Sequence, residues 1–221
     1  MARSSHLVAR LIACLALAWQ PCSALGQKLE DDTQAWLNLS LEGELDDATA
    51  ISLDFSRRWR EDRRAGEQHT ARVTVMREVA DGVRIGGGGG IFETEGGGTE
   101  LRPHQELVLA RGRFSGRTRL EERFFDGADR MELRFRQQVR YAQPLGRRTE
   151  LGVSGEYLGL VQTRERGSAG PRDEWRARVV LSRKVSEALS LGLAYLIIYT
   201  PREGAADRVS HIPQAAILYR F

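Results

Sequence analysis

The chain has 221 residues, with 33 lysines and arginines against 30 aspartates and glutamates, a formal net charge of +3 and two cysteines. Arg3 and Arg10 supply two of the positive charges ahead of an apolar run. Beyond residue 26 the balance is therefore 31 basic to 30 acidic, which gives no electrostatic ground for nucleic-acid binding. Cys14 and Cys22 fall in the same leading segment, so the rest of the chain is without disulfides, thiolate metal sites or cysteine nucleophiles.

Residues 1–26 have the layout of a secretory signal peptide: Arg3 and Arg10, then Leu11–Trp19, then Ala24-Leu25-Gly26, with Gln27 as the expected mature start. The apolar run is nine residues long, well short of the roughly 20 that a spanning helix needs. Leu11-Ile12-Ala13-Cys14 imitates a lipoprotein cleavage box. Arg10 abuts it directly and leaves no hydrophobic region upstream, so lipidation is not expected. The remaining residues, 27–221, suit one domain.

From residue 27 onward no convincing amphipathic helix appears, and the pattern is one of period-two alternation. It predicts strands near 33–42, 48–58, 70–78, 83–92, 104–112, 116–125, 130–142, 148–160, 173–183, 188–199 and 209–221. Many have nine to thirteen residues, the span of tilted membrane-crossing strands rather than the five or six of typical globular ones. Short connections (GELDDA, VADG, QPLGRR, VSEA) alternate with longer polar ones (RWREDRRAGEQH, ETEGGGTELRP, RERGSAGPRDE, PREGAADR), as periplasmic turns and external loops do in outer-membrane barrels. FDGAD is short for its place in that scheme. Eleven segments are counted, whereas bacterial single-chain barrels have even numbers. The count thus points to a misassigned or hidden strand and a total of 10 to 12.

The glycine run at 86–90 lacks the Gly-Lys-Ser/Thr ending of a phosphate loop and opens no helix. A strand stripped of side chains to bend or to admit bulky neighbours is expected there. At the other end, Ala215, Ile217, Tyr219 and Phe221 share one parity and finish on an aromatic residue. This resembles the C-terminal strand signature of Gram-negative outer-membrane barrels, with Tyr219 and Phe221 as the signal read by the barrel assembly machinery.

Residues 130–141 pose the question of facing. Met131, Leu133, Phe135, Val139 and Tyr141 fall on one parity, broken by Gln137. Arg130, Glu132, Arg134, Arg136, Gln138 and Arg140 fall on the other. In a membrane barrel the apolar set faces lipid and the arginines face the lumen. The expected lumen charge network then comprises Asp54, Glu106, Arg117, Arg119, Glu121, Arg123, Arg134, Arg136, Arg140, Glu150, Glu156, Arg176 and Arg178, with Ser154 on the same face and Glu122 turned outward. Confined charges need partners, so the network reads either as structural packing or as an arginine-rich constriction that favours anions. Trp36, Trp59, Trp175, Tyr141, Tyr199 and Tyr219 sit near predicted strand ends, as interfacial aromatic girdles would.

A lipid hydrolase or acyltransferase embedded in the same membrane is the alternative class. Beyond the leading segment the histidines are His69, His104 in RPHQEL, and His211 after Ser210. A base needs a nucleophile in reach and a third group to orient it. Proximity in sequence is all these offer, and no metal-ligand spacing is present. No catalytic residue, metal or cofactor is expected.

The ordered elements Thr33-Gln34-Ala35-Trp36-Leu37, RPHQEL at 102–107, RTRLEERF at 117–124, the arginine-rich strand at 130–141, SGEYL at 154–158, EWRARVVLS at 174–182 and the closing LYRF together resemble a family of uncharacterised proteobacterial and Bacteroidetes outer-membrane barrels. That resemblance implies a fold and a location but no activity. The expectation is an all-β antiparallel transmembrane barrel in the cell outer membrane, monomeric by default and surrounded by lipid. It would serve a structural role or form a narrow, anion-preferring passage for small solutes.

Overall fold

The structure, a computed structural model, describes residues 29–61, 66–166 and 173–221; the signal-peptide expectation for residues 1–26 lies outside them. The strands are β1 (Leu29–Asp46), β2 (Thr49–Arg60), β3 (Gln68–Ala80), β4 (Val83–Thr94), β5 (Gly98–Leu101), β6 (His104–Arg111), β7 (Phe114–Phe125), β8 (Glu132–Pro144), β9 (Thr149–Gln162), β10 (Glu174–Lys184), β11 (Leu189–Thr200) and β12 (Asp207–Arg220). All belong to one closed sheet.

β5 and β6 are two pieces of a single stave. Both pair with β4 on one side and β7 on the other. Between them Arg102 keeps its ladder bonds to Gly90, at 2.8 and 3.1 Å, while Pro103 has no N–H to donate and marks the break. The barrel therefore has 11 staves, and each predicted segment corresponds to one of them. The odd count signals no hidden strand. The barrel closes through β1 and β12, which run parallel from Leu29↔Asp207 to Glu42↔Arg220, whereas every other neighbouring pair is antiparallel. Pro213 lies within this seam and again has no N–H to contribute.

Followed across the ladder from Asp46 at the foot of β1, the register passes through Thr49, Arg77, Ile85, Leu107, Thr118, Gln137, Tyr157, Trp175, Tyr199 and Val209. It returns to β1 at Asp31, near the opposite end of the strand. That stagger is the strand tilt which closure requires. The rim carrying Phe221 has tight connections, and Gly82, at φ 69°, supplies the left-handed residue of the Asp81-Gly82 hairpin. ETEGGGTELRP, expected as a long loop, is instead a turn confined to residues 95–97. Gly96 and Gly98, at φ 70° and 82°, reverse the chain and β5 begins at once. At that opposite rim Arg202 and Arg208 both bind Glu30, which ties the 201–206 connection to β1.

The alternation resolves into an apolar outer belt and a polar interior. Leu37, Leu39, Phe55, Val73, Val75, Leu120, Phe124, Val139, Val179, Leu181, Leu191, Leu193 and Ile217 are exposed around the outside. Gln137, the break in its row, shares the outer face with Thr118, whose hydroxyl donates to its Oε1 at 2.7 Å. Glu122 also faces outward, beside Gln105. Trp36 departs from the girdle expectation. It shares parity with Asn38 and Ser40, so it points inward and packs on Leu196, Ile198 and Ile212. Strand-end position alone suggests a girdle; parity decides otherwise.

Gly86 and Gly88 lie where β4 closes on β3. A Cβ at Gly88 would sit 1.9 Å from the Val73 carbonyl oxygen, and one at Gly86 2.0 Å from that of Val75. The glycine run is thus a strand whose backbone approaches its neighbour more closely than a side chain permits. A second glycine contact secures the chain end. The Phe221 amide donates to the Glu42 carbonyl at 3.0 Å, and its ring covers Gly43, where a Cβ would meet ring carbon Cε2 at 2.4 Å. The ring is terminal and can swing away. Gly43→Val is therefore expected to cost only about 1 kcal/mol in a urea titration of the folded barrel. A loss of several kcal/mol would mean that seating Phe221 matters more than its exposure suggests.

Candidate functional site: an arginine-rich interior

The inward parity of β6–β10 brings arginines and glutamates together by register. Arg119 stands directly across from Arg136, and Glu121 across from Arg134. The like-charged pair would repel, so each guanidinium turns to a carboxylate on a neighbouring row. Arg119 binds Glu106 at 2.5 Å. Arg136 binds Glu121 at 2.7 Å and Glu156 at 2.8 Å. Glu121 is the hub and has no exposed surface. It accepts from Arg134 at 2.5 and 2.9 Å and from Arg136, with Arg119 at 3.6 Å. Glu156 joins Arg117 at 2.7 Å and Arg176 at 3.8 Å. Glu100 binds Arg102 at 2.7 Å and Arg123 at 2.6 Å, Arg123 also pairs with Glu132, and Arg176 binds Glu174 at 2.5 Å. The forked guanidinium suits such shared pairing, because one arginine can serve two carboxylates. An isolated charge here would cost several kcal/mol, and the mesh avoids that by leaving each carboxylate at least one cation.

Of the residues expected in the network, Asp54 and Arg178 are the two outside the ion pairs among the described residues. Asp54 takes the Ser40 hydroxyl at 2.6 Å although Arg72 is its register partner. Arg178 has an Nε without a partner. Arg140 and Glu150 pair at 2.6 Å, half-exposed and apart from the mesh. Sequence reasoning missed Glu100, Arg102, Glu132 and Glu174. Parity alone would have added Glu132 and Glu174, which sit two residues from Arg134 and Arg176. Glu100 and Arg102 were hidden by the three glycines that made their strand look like a loop.

The opposite wall differs. Trp36, Leu196, Ile198 and Ile212 form an apolar patch on β1, β11 and β12. Phe92 is buried beneath a layer of guanidinium groups, with Arg102 at 3.6 Å from its ring centroid, Arg72 at 5.6 Å and Arg58 at 5.9 Å. Cavities lie in succession along the interior. A central one of about 540 Å³ adjoins one of about 420 Å³ toward the Phe221 rim, and they share Asp54, Arg117 and Arg119 as walls. One of about 320 Å³ toward the opposite rim shares Arg123 and Arg134 with the central cavity. The residues that adjoining cavities share are thus mainly arginines.

The two histidines considered for hydrolysis are on opposite faces. His104 is buried inside, its Nε2 3.3 Å from the Thr74 hydroxyl and its Nδ1 without a partner among the described residues. His211 faces outward and meets the Tyr195 hydroxyl at 2.9 Å. Ser210, adjacent in sequence, points inward and donates to Asp32 at 2.7 Å. Neither histidine has a serine in hydrogen-bond reach among the described residues.

Compared with curated proteins, the chain matches none. Among solved structures it is similar to the NanC porin in its rhombohedral crystal form, with a TM-score of 0.52 and 11% identity over 80% of this chain and 92% of that one. An identity that low speaks for the fold. The likeness is one of barrel architecture. Residues 33–209 match the family described as protein of unknown function (DUF2490). That match runs from the first residues of β1 into β12, so the chain belongs to this family, and its fold is an 11-stave barrel of outer-membrane type.

Proposed function

We propose that this protein is a narrow outer-membrane passage that favours small anions. Residues 1–26 direct export as a cleaved signal peptide and residues 27–221 form the barrel. It works as a monomer with lipid around the apolar belt, after insertion by an assembly machinery that reads Tyr219 and Phe221. The Phe221 rim, with its tight turns, faces the periplasm.

The observation that supports the reading is the partitioning of the interior. A solute moving between the cavities must pass Arg123 and Arg134, then Arg117 and Arg119. Eleven staves lie between eight-stranded barrels, which side chains fill, and the 16 or more strands of open porins. Conductance should accordingly be small. In planar bilayers the purified protein is expected to give stepwise currents with a reversal potential on the anion-selective side, and Arg134→Ala is expected to move that potential toward zero. Cation preference would overturn the proposal. Electrical silence from folded protein would leave the mesh a structural filling.

A further inference from the structure

Arg58, Arg72 and Arg178 face the interior and make no ion pair among the described residues. Among the described residues Arg58 donates to neutral groups, Ser56 at 3.2 Å and Gln68 at 2.9 Å, and its guanidinium lies 4.1 Å from the Trp36 ring centroid. Arg72 makes no hydrogen bond or ion pair among the described residues and faces the Phe92 ring. Arg178 likewise makes neither, and its Nε is buried without a partner. All three line the central cavity together with Arg102 and Arg176. The strongest electrostatic neighbours of Arg58 are Arg176, Arg102, Arg72 and Arg60, all cationic. Cations converging in a partly dry space repel more strongly than in water, and a bound anion would offset that repulsion.

The same cavity has an apolar side. Trp36 and Leu196 line it, and Ile198 and Ile212 pack beside them. Leu196 is the register partner of Arg178, and Trp36 that of Arg58, so a guanidinium without an ion pair among the described residues flanks the apolar patch on either side. A volume of about 540 Å³ is within the usual range for small-molecule sites.

We infer that the central cavity binds a small organic carboxylate with a compact apolar body. The carboxylate is held by Arg58, Arg72 and Arg178, and the body rests against Trp36 and Leu196. A planar guanidinium pairs with a carboxylate through two parallel hydrogen bonds, which suits arginines that have no carboxylate of their own. An inorganic anion would leave the apolar side unused. This inference rests on the interior being anion-attracting and does not require that it conduct.

The test uses the full-length protein, expressed, exported and purified in detergent, with Trp59→Phe and Trp175→Phe to leave Trp36 as the reporter within the barrel. Cyclohexanecarboxylate is expected to produce a saturable change in Trp36 fluorescence. Acetate should bind at least about tenfold more weakly for want of the ring, and neutral cyclohexanemethanol should give no saturable change. Arg72→Met and Arg178→Met, each checked for folded mobility on unheated gels, should each weaken binding by about tenfold, the scale of one charge-assisted hydrogen bond. Equal affinity for acetate and cyclohexanecarboxylate would overturn the inference, as would the absence of saturation by cyclohexanecarboxylate. Anion-selective currents without this binding would sink the inference and leave the passage. Binding in an electrically silent protein would do the reverse.

Discussion

Glu121→Ala is expected to be among the most damaging single substitutions in the barrel. The carboxylate has no exposed surface and anchors Arg134 and Arg136, with Arg119 close by. Its removal leaves a buried hub of positive charge with one anion fewer. Arg136 retains Glu156 and Arg119 retains Glu106, whereas Arg134 has no other carboxylate bonded to it among the described residues. Breaking a buried pair from one side costs about 3–5 kcal/mol, because the remaining charge stays desolvated. A urea titration followed by heat-dependent gel mobility should show a loss of that size or no folded band at all. Adding Arg134→Met to the Glu121→Ala chain should recover part of the loss, since it deletes the orphaned charge. A Glu121→Ala protein within about 1 kcal/mol of the parent would mean that water enters the mesh freely, and the mesh would then contribute little to holding the barrel together.

Gly88→Val is the second large effect, and its origin is steric rather than electrostatic. The Cβ of any residue at this position meets three backbone atoms of β3, the Val73 carbonyl oxygen at 1.9 Å and the Thr74 Cα and Val73 carbonyl carbon at 2.9 Å. No choice of rotamer relieves a clash with backbone, so β4 must move away from β3 and the sheet opens there. The expected outcome is little or no heat-modifiable protein. One residue on, Gly89 provides the contrast. It faces outward, and nothing lies within 4 Å of the point where a Cβ would sit. Gly89→Ala should fold as well as the parent, with a gain of up to about 1 kcal/mol from reduced freedom of the unfolded chain. If both variants assemble equally well, the close approach of β3 and β4 is not what the glycine run serves.

Much of this architecture is legible because period-two alternation is read over a dozen residues at a time. All 11 staves are visible that way, and so is the inward face of β7 and β8, where nearly every second position is an arginine or a glutamate. Closure is not legible. An even count is expected because antiparallel closure demands it, and nothing in a single strand's sequence announces that its last neighbour will be parallel. Glu100 is hidden for a local reason: three consecutive glycines in 96–98 mimic a flexible loop, when they form a tight turn with two left-handed residues. Distance from a strand end misplaces Trp36, although the parity of Leu37 and Leu39 already puts it on the other face. The unpaired state of Arg58, Arg72 and Arg178 is beyond reach, since which guanidinium finds which carboxylate depends on diagonal contacts across staggered strands.

The parallel seam of β1 and β12 has a consequence for sidedness. In a barrel with an even number of staves the chain enters and leaves the sheet at the same rim. Here Leu29 lies level with Asp207 at one rim, and Arg220 with Glu42 at the other. Once the barrel spans a bilayer, the two ends of the sheet are parted by its full thickness. A protease cleavage site placed just ahead of Leu29 would then be cut from one side of the membrane, and one placed after Phe221 only from the other.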